Sequence, residues 1–256
     1  MRFATFNVNS IRARQDIVLN WLKKETPDVL AVQETKVQDK DFPLSGFDGS
    51  GYNCVYKGQK SYNGVAVFSK QRPQQVSYGF REEPKDEARL IKAKIGKVWV
   101  VNTYVPQGRD VESEHFRYKL DWLGRLKKFF EENFDKNDPV VWLGDFNTAR
   151  DERDVYDPEG LRGHVCFNEQ LSKALEGVIG WGFFDLFRHF YEQGECYSFW
   201  DYRMRGALKA NRGWRLDYIM VTKPLLDAAK DCYIDRTPRL LKKPSDHTPI
   251  VAEFDL

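Results

Sequence analysis

The chain is short of the residues that mark several protein classes. Four cysteines (Cys54, Cys166, Cys196, Cys232) are scattered over 256 residues, and no two form a Cys-x-x-Cys pair. That argues against a thiolate zinc site or a redox pair and suits small core residues in a reducing cytoplasm. No apolar run approaches the roughly 20 residues of a membrane span. Met1-Arg2-Phe3-Ala4-Thr5-Phe6 already reads as a strand, so no signal peptide is expected. There is no Walker loop, no Gly-x-Gly-x-x-Gly and no internal repeat. An excess of one charge is missing too: 40 Lys+Arg stand against 38 Asp+Glu, a net +2. Such a balance does not by itself announce a nucleic-acid partner, so local clustering must carry that argument. The 41% hydrophobic content is enough for a real core, and the length fits one large α/β domain over residues 1–256.

What is present is a series of short apolar runs that stop at polar groups. The clearest is Val140-Val141-Trp142-Leu143, bounded by Asp138-Pro139 and ended by Gly144. It suits a strand buried on both faces. Asp145 and Asn147 follow two apart, so on an extended backbone they point the same way. The plain alternative is an Asx turn, since both residue types are common in turns. Other segments repeat the plan. Arg2 to Asn7 is a strand, Ser10 caps a helix with Ile11, Ile17, Val18, Trp21 and Leu22 on one face, and Val29 to Val32 delivers Gln33 and Glu34. An ionised carboxylate placed directly after a buried strand needs a partner or a metal.

Tyr52 to Ile95 reads as antiparallel, and Val98 to Tyr104 as a strand with Asn102 and Tyr104 on one face near its end. A tyrosine in a strand is ordinarily core packing. Ser113 to Phe134 is the longest helix, with Phe116, Leu120, Leu123, Leu126 and Phe130 inward and its lysines and arginines on a solvated face. His115, His164 and His189 have structural or surface roles on this reading. Further on, aromatics interleave with Arg203, Arg205, Lys209, Arg212 and Arg215. That mixture suits a surface that stacks on bases or sugars while neutralising phosphates, although a strand pair joined by a basic loop would look similar. Asp217 is expected near the middle of a strand over 214–221. His247 follows Asp246 just before a last strand over 248–254, and Asp217 is its natural partner.

As chemistry, Glu34 offers a hard oxygen ligand for Mg²⁺, and Asp145 a base or a holder of water. Asn7, Asn147 and His247 can donate or ligate without adding negative charge beside a phosphate. Hydrolysis of a phosphodiester needs such a set. Phe6-Asn7-Val8-Asn9, Gln33-Glu34-Thr35-Lys36, Asn102-Thr103-Tyr104-Val105-Pro106-Gln107, Gly144-Asp145-Phe146-Asn147, Gly213-Trp214-Arg215-Leu216-Asp217 and Ser245-Asp246-His247 resemble the ordered signature blocks of exonuclease III-type apurinic/apyrimidinic (AP) endonucleases. The blocks span the chain. Gly-Asp-x-Asn and Ser-Asp-His alone would mark only the wider endonuclease/exonuclease/phosphatase superfamily, in which many members carry a histidine in the region of Tyr104.

The resemblance implies a DNase I-like α/β fold, a four-layered sandwich of two packed mixed β-sheets flanked by helices. It implies Mg²⁺-dependent (or Mn²⁺-dependent) hydrolysis 5′ to an abasic site in duplex DNA, with 3′→5′ exonuclease and 3′-end-cleaning activities. Carried over residue by residue, Glu34 binds the metal, Asp145 activates water, and Asn7, Asn147 and His247 contact metal or phosphate. Tyr104 lies against the scissile phosphate, Asp217 supports His247, and Asp246 is a secondary metal or leaving-group residue. Phe199, Trp214 and Leu216 line a pocket for the extruded abasic sugar, Arg203 is a candidate for insertion into the duplex, and Asn102 and Gln107 belong to the substrate surface. A monomer in the cytoplasm, associated with the nucleoid, is expected, with a sliding-clamp partner left open. The competing readings are a superfamily phosphatase of lipids or inositols, incision beside uracil or other damaged bases, and a catalytically silent binding module.

Overall fold

The computed structural model describes residues 1–81 and 88–256. Strands numbered in chain order form two six-stranded sheets. The first runs β11 (Ala229–Ile234), β12 (Ile250–Phe254), β1 (Arg2–Asn7), β2 (Val29–Gln33), β4 (Val65–Ser69), β3 (Asn53–Lys57). The second runs β5 (Gln74–Tyr78), β6 (Leu90–Ile95), β7 (Val98–Tyr104), β8 (Val140–Asp145), β10 (Asp217–Val221), β9 (Phe184–Asp185). Each sheet has one parallel pair near its centre, β1 with β2 and β7 with β8, and antiparallel pairs around it. The helices are α1 (Ile11–Glu25), α2 (Glu114–Asn133), α3 (Pro158–Leu161), α4 (Glu169–Ile179), α5 (Leu186–Phe190) and α6 (Lys223–Asp227).

The layers follow from the period-two alternation of the strands. In β8, Val141 and Leu143 face the other sheet, where they meet Phe3, Ala31, Val67 and Ile250. Val140 and Trp142 face outward into a cluster with Leu123, Leu126 and Phe130 of α2 and Leu171 of α4. On the opposite side Phe6, Leu30 and Phe68 pack under Val18, Trp21 and Leu22 of α1. This is the expected helix–sheet–sheet–helix sandwich, whose facing sheets bury β8 on both sides. Each fully buried Val or Leu contributes about 1.5–3 kcal/mol.

Local chemistry fixes the ends of the elements. Ser10 accepts from the Ala13 amide at the start of α1, and Ser113 accepts from Phe116 at the start of α2. Gly144 sits at φ 146°, and a Cβ there would lie 1.9 Å from the Thr103 carbonyl oxygen, so no other residue fits beside β7.

Several boundaries differ from the sequence reading. Asp217 is the first residue of β10, paired with Asp145, because Trp214 makes only isolated bridges to Val155 and Phe199 before the strand starts. β12 begins at Ile250, not at Thr248. Lys119 does not join the solvated face of α2 but is fully buried. Strands β5, β9 and β11 had no clear apolar signature: β5 and β11 are half-exposed edge strands, and β9 has two residues. The four cysteines are free, Cys166 and Cys232 buried and the other two partly so. Among the described residues, no helix is long and apolar enough to cross a membrane.

Candidate active site

The parallel pairs bring four strand ends to one rim of the sandwich. β1 delivers Asn7, β2 is followed by Glu34, β7 ends at Tyr104 and β8 at Asp145. Because β10 runs antiparallel to β8, its first residue, Asp217, comes to the same rim, and the segment before β12 adds His247. Asn7 ties the two sheets together here: its Nδ2 donates to Glu34 Oε1 at 2.8 Å and to Asp145 Oδ2 at 2.7 Å. Its Oδ1 accepts the Asn9 backbone amide at 2.9 Å, which orients the side chain so that Nδ2 clamps the two carboxylates.

Asp145 is fully buried. Its Oδ1 accepts the Asn147 amide at 2.8 Å, and its Oδ2 also takes the Asn147 Nδ2 at 3.3 Å. Asn147 makes this turn with φ 47°, a left-handed conformation that costs a non-glycine residue and that its two hydrogen bonds to Asp145 help hold. Burial pushes the Asp145 carboxyl up to about 7, against the pull of the neighbouring His247. At Glu34 burial also works against the charge, yet Lys36 and Asn7 outweigh it and hold the carboxyl below its usual range. Lys36 reaches Glu34 Oε2 at 2.8 Å and Asn9 Oδ1 at 2.6 Å. Tyr104 hydrogen-bonds Glu34; burial first, then Glu34 and Asp145, raise its hydroxyl well above 10, so it stands as a neutral donor.

His247 lies between two carboxylates. Its Nδ1 is 2.8 Å from Asp217 Oδ2, and its Nε2 is 3.8 Å from Asp145 Oδ2. Burial alone would lower the imidazole, but Asp217 and then Asp145 raise it to about 10, so it is a cation at neutral pH. Ser198 completes the support by donating to Asp217 Oδ2 at 2.6 Å. Asp246 stands at the edge, where its Oδ1 accepts Asn9 Nδ2 at 3.0 Å.

Glu34, Asp145 and His247 place ligand atoms within 4.8 Å of one another. Two carboxylates a single Asn7 amide apart form the hard-oxygen set a divalent cation requires, so Glu34 and Asp145 fit a metal, with the His247 imidazolium beside them. Next to them opens a cleft of about 640 Å³ lined by Glu34, Tyr104, Asn147, Phe199, Trp214 and His247, with Leu216, Gln107, Asp246 and Arg203 also on its walls. Its apolar side is built on tilted ring contacts: the Phe199 and His247 ring centroids lie 4.8 Å apart, and those of His164 and Trp214 4.9 Å apart. Arg203 stands at the rim, its side chain 91% exposed and paired with Asp201.

One expected substrate residue does not reach this surface. Asn102 is fully buried between the sheets, donating to the Val32 and Ala66 carbonyls and accepting from Gln33 Nε2 at 2.7 Å. Its face of β7 points into the sandwich two residues before Tyr104 emerges at the mouth, so it is a cross-sheet tie. Asn9 and Lys36 stood in the signature blocks without a role assigned to them, and Ser198 and His164 also belong to the site or its walls. For Lys36 the signal was its place two residues after Glu34. His164 carries no adjacent carboxylate and had none.

The chain matches the endonuclease/exonuclease/phosphatase family over residues 4–247. It is 37% identical over 254 residues to an exodeoxyribonuclease of Bacillus subtilis, spanning 98% of each chain. Against exodeoxyribonuclease III of Haemophilus influenzae the identity is 33% over 267 residues, covering 99% of this chain and 100% of the relative. It superposes on the structure of an AP endonuclease from Archaeoglobus fulgidus with a TM-score of 0.98 at 47% identity, each chain fully covered. A 3′ phosphatase from Neisseria bound to a product DNA hairpin gives a TM-score of 0.96 at 36% identity, again over the whole of both chains.

Proposed function

Since the chain belongs to the endonuclease/exonuclease/phosphatase family, we propose that it is a DNA-repair nuclease that cuts the phosphodiester 5′ to an abasic site and cleans 3′ ends. The observation that carries this reading is the joining of two chemistries at one rim. A carboxylate, amide and imidazolium cluster adjoins an apolar cleft lined by Phe199, Trp214 and Leu216. The cluster suits phosphodiester hydrolysis. The cleft suits a sugar without its base, since a base-bearing nucleotide would have to be accommodated among packed aromatics. A neighbouring AP endonuclease and a DNA-bound 3′ phosphatase of the same fold support the substrate class.

In this reading Glu34 and Asp145 would hold Mg²⁺, which when bound supplies charge neutralisation at the phosphate and a more acidic water. The chain's own groups do the rest. Asp145 accepts a proton from the attacking water through its carboxylate. Asn147 donates to that carboxylate and fixes its orientation. His247 is held cationic and donates to a phosphate oxygen as negative charge builds there. As a donor it cannot also be a ligand, since a ligating imidazole must be neutral, and its place between Asp217 and Asp145 favours the donor. Tyr104, hydrogen-bonded to Glu34, is a further neutral donor at the mouth, and Asn7 positions Glu34 and Asp145. Trp214, Leu216 and Phe199 receive the sugar, while Gln107, Asp246 and Arg203 border the strand. We also propose that residues 1–256 act as one monomeric catalytic unit on double-stranded DNA in the cytoplasm, at the nucleoid.

The test is one labelled duplex prepared with an abasic site, with uracil, or with normal bases only, incubated with Mg²⁺, with Mn²⁺ and with EDTA. Incision confined to the abasic duplex and abolished by EDTA is expected. Cutting beside uracil at the same rate would move the specificity to damaged bases, and no cutting of any duplex would refute the reading.

A further inference from the structure

Lys119, in the second turn of α2, is fully buried although lysine is among the costliest residues to bury. Its ammonium is met by no carboxylate among its hydrogen bonds. Instead Nζ donates to three backbone carbonyls: Asn147 at 2.7 Å, Gln107 at 3.2 Å and Val165 at 3.3 Å. An ammonium has three N–H donors, so the three acceptors saturate it. The three carbonyls come from three segments distant in sequence: the turn after β7, the turn after β8, and the stretch between α3 and α4. Each borders the active-site cleft through Gln107, Asn147 or the residues flanking Val165, namely His164 and Cys166.

A peptide group is rigid, so fixing a carbonyl fixes the plane on which the next residue is built. At Asn147 that plane belongs to a residue in the left-handed region at φ 47°. Asp145 Oδ1 holds the Asn147 amide from one side, and Lys119 holds its carbonyl from the other. The Asn147 side chain then reaches Asp145 Oδ2 and the Val105 carbonyl. The packing leaves no slack: a Cβ at Gly108 would stand 3.0 Å from Val165 Cγ2 and 3.2 Å from Lys119 Cδ. A neutral apolar side chain at 119 could fill the space but would leave the three carbonyls without this common donor.

Resting on the nuclease reading above, we propose that Lys119 is a positioning residue for the reaction, a buried tripod that sets Asn147, and through it Asp145, against the walls of the cleft formed by Gln107 and by His164 and Cys166. It touches neither substrate nor reacting atoms. Its effect therefore appears in the chemical step more than in DNA affinity.

The test compares Lys119→Gln and Lys119→Met with Leu126→Ala, a core truncation two turns along the same helix, on one abasic duplex. Tm, Kd for the duplex, and single-turnover rate at saturating enzyme are measured well below each Tm. Hydrogen exchange of the metal-free proteins is followed at 107–108, 147–148 and 165–166. Lys119→Gln is expected to keep Kd within about twofold, lose at least about tenfold in rate, and exchange faster at all three segments. Lys119→Met should lose more. Leu126→Ala should lose at least as much Tm while keeping rate and local exchange. A Lys119→Gln rate within about threefold of the wild type would overturn the proposal. So would equal loss of rate in Leu126→Ala, a loss confined to Kd, or failure of both Lys119 variants to fold, since each makes the residue merely structural. Wild-type inactivity on the abasic duplex would instead sink the nuclease reading, with the exchange pattern still deciding the role of Lys119.

Discussion

Replacing Asp217 by Asn removes one charge from a buried triad and leaves the shape almost unchanged. In the wild type Asp217 Oδ2 lies 2.8 Å from His247 Nδ1, both side chains being shielded from water. Burial would lower the imidazole; Asp217, followed by Asp145, raises it to about 10 from its ordinary 6.5. Breaking a buried pair of this kind typically costs about 3–5 kcal/mol. If even about 3 kcal/mol of that is lost at the transition state, the rate falls roughly 10²-fold. The pH profile carries a more specific signature. On the proposed mechanism the active form has His247 protonated, so wild-type activity should persist on the alkaline side until pH approaches about 10. In Asp217→Asn, Asp145, 3.8 Å from Nε2, and more weakly Asp246 still favour the cation, and the alkaline limb should move down by a unit or more. Stability follows the same sign: a histidine whose folded pKa is raised contributes fully below 6.5 and loses that contribution as pH rises through about 10. Single-turnover incision from pH 6 to pH 10.5, with urea midpoints of the metal-free protein at the same pH values, reads both effects. An alkaline limb that stays in place in Asp217→Asn would refute the argument that this carboxylate keeps His247 charged.

Three further outcomes are expected. Glu34→Gln should raise the Mg²⁺ concentration needed for half-maximal rate, and an unchanged metal requirement would remove Glu34 from the ion site. Trp214→Ala should reduce incision at abasic sites far more than affinity for intact duplex, whereas Lys209→Ala with Arg212→Ala should weaken both duplexes alike and flatten the salt dependence; equal weakening of both substrates by Trp214→Ala would make it a packing residue. Gly144→Ala should destabilise the fold by several kcal/mol, because its Cβ would meet the Thr103 carbonyl at 1.9 Å; a urea midpoint near that of the wild type would show that β7 and β8 can separate at little cost.

The site was legible in the sequence wherever a buried strand ends in a polar group. Val140–Leu143 and Val29–Val32 are continuous apolar runs, so the carboxylates just beyond them had to lie at a rim. The same logic misled at Asn102, which shares a face with Tyr104. That face points between the sheets, and only the last residue of β7 emerges. Asp217 looked like an interior strand residue because Trp214 and Leu216 are also apolar, while the ladder starts only at Asp217. Lys119 was read as surface from its position beside Leu120 in the helical pattern. Its burial depends on three carbonyls from distant segments, which no local spacing reveals. Ser198 and His164 are likewise recruited by chain segments that meet only in the folded sandwich. The edge strands β5 and β11 lack the double-sided burial that makes a strand conspicuous.

On the proposed mechanism Asp145, at the mouth of the two sheets, takes the proton from the attacking water. Asp145→Asn keeps the size of the side chain and removes the base. Binding of an abasic duplex and single-turnover incision of that duplex, measured on the same folded protein with Mg²⁺, test the claim most directly. Affinity close to the wild type, with a rate lower by roughly 10²–10⁴-fold, is the predicted result. Turnover near the wild-type rate would contradict the account.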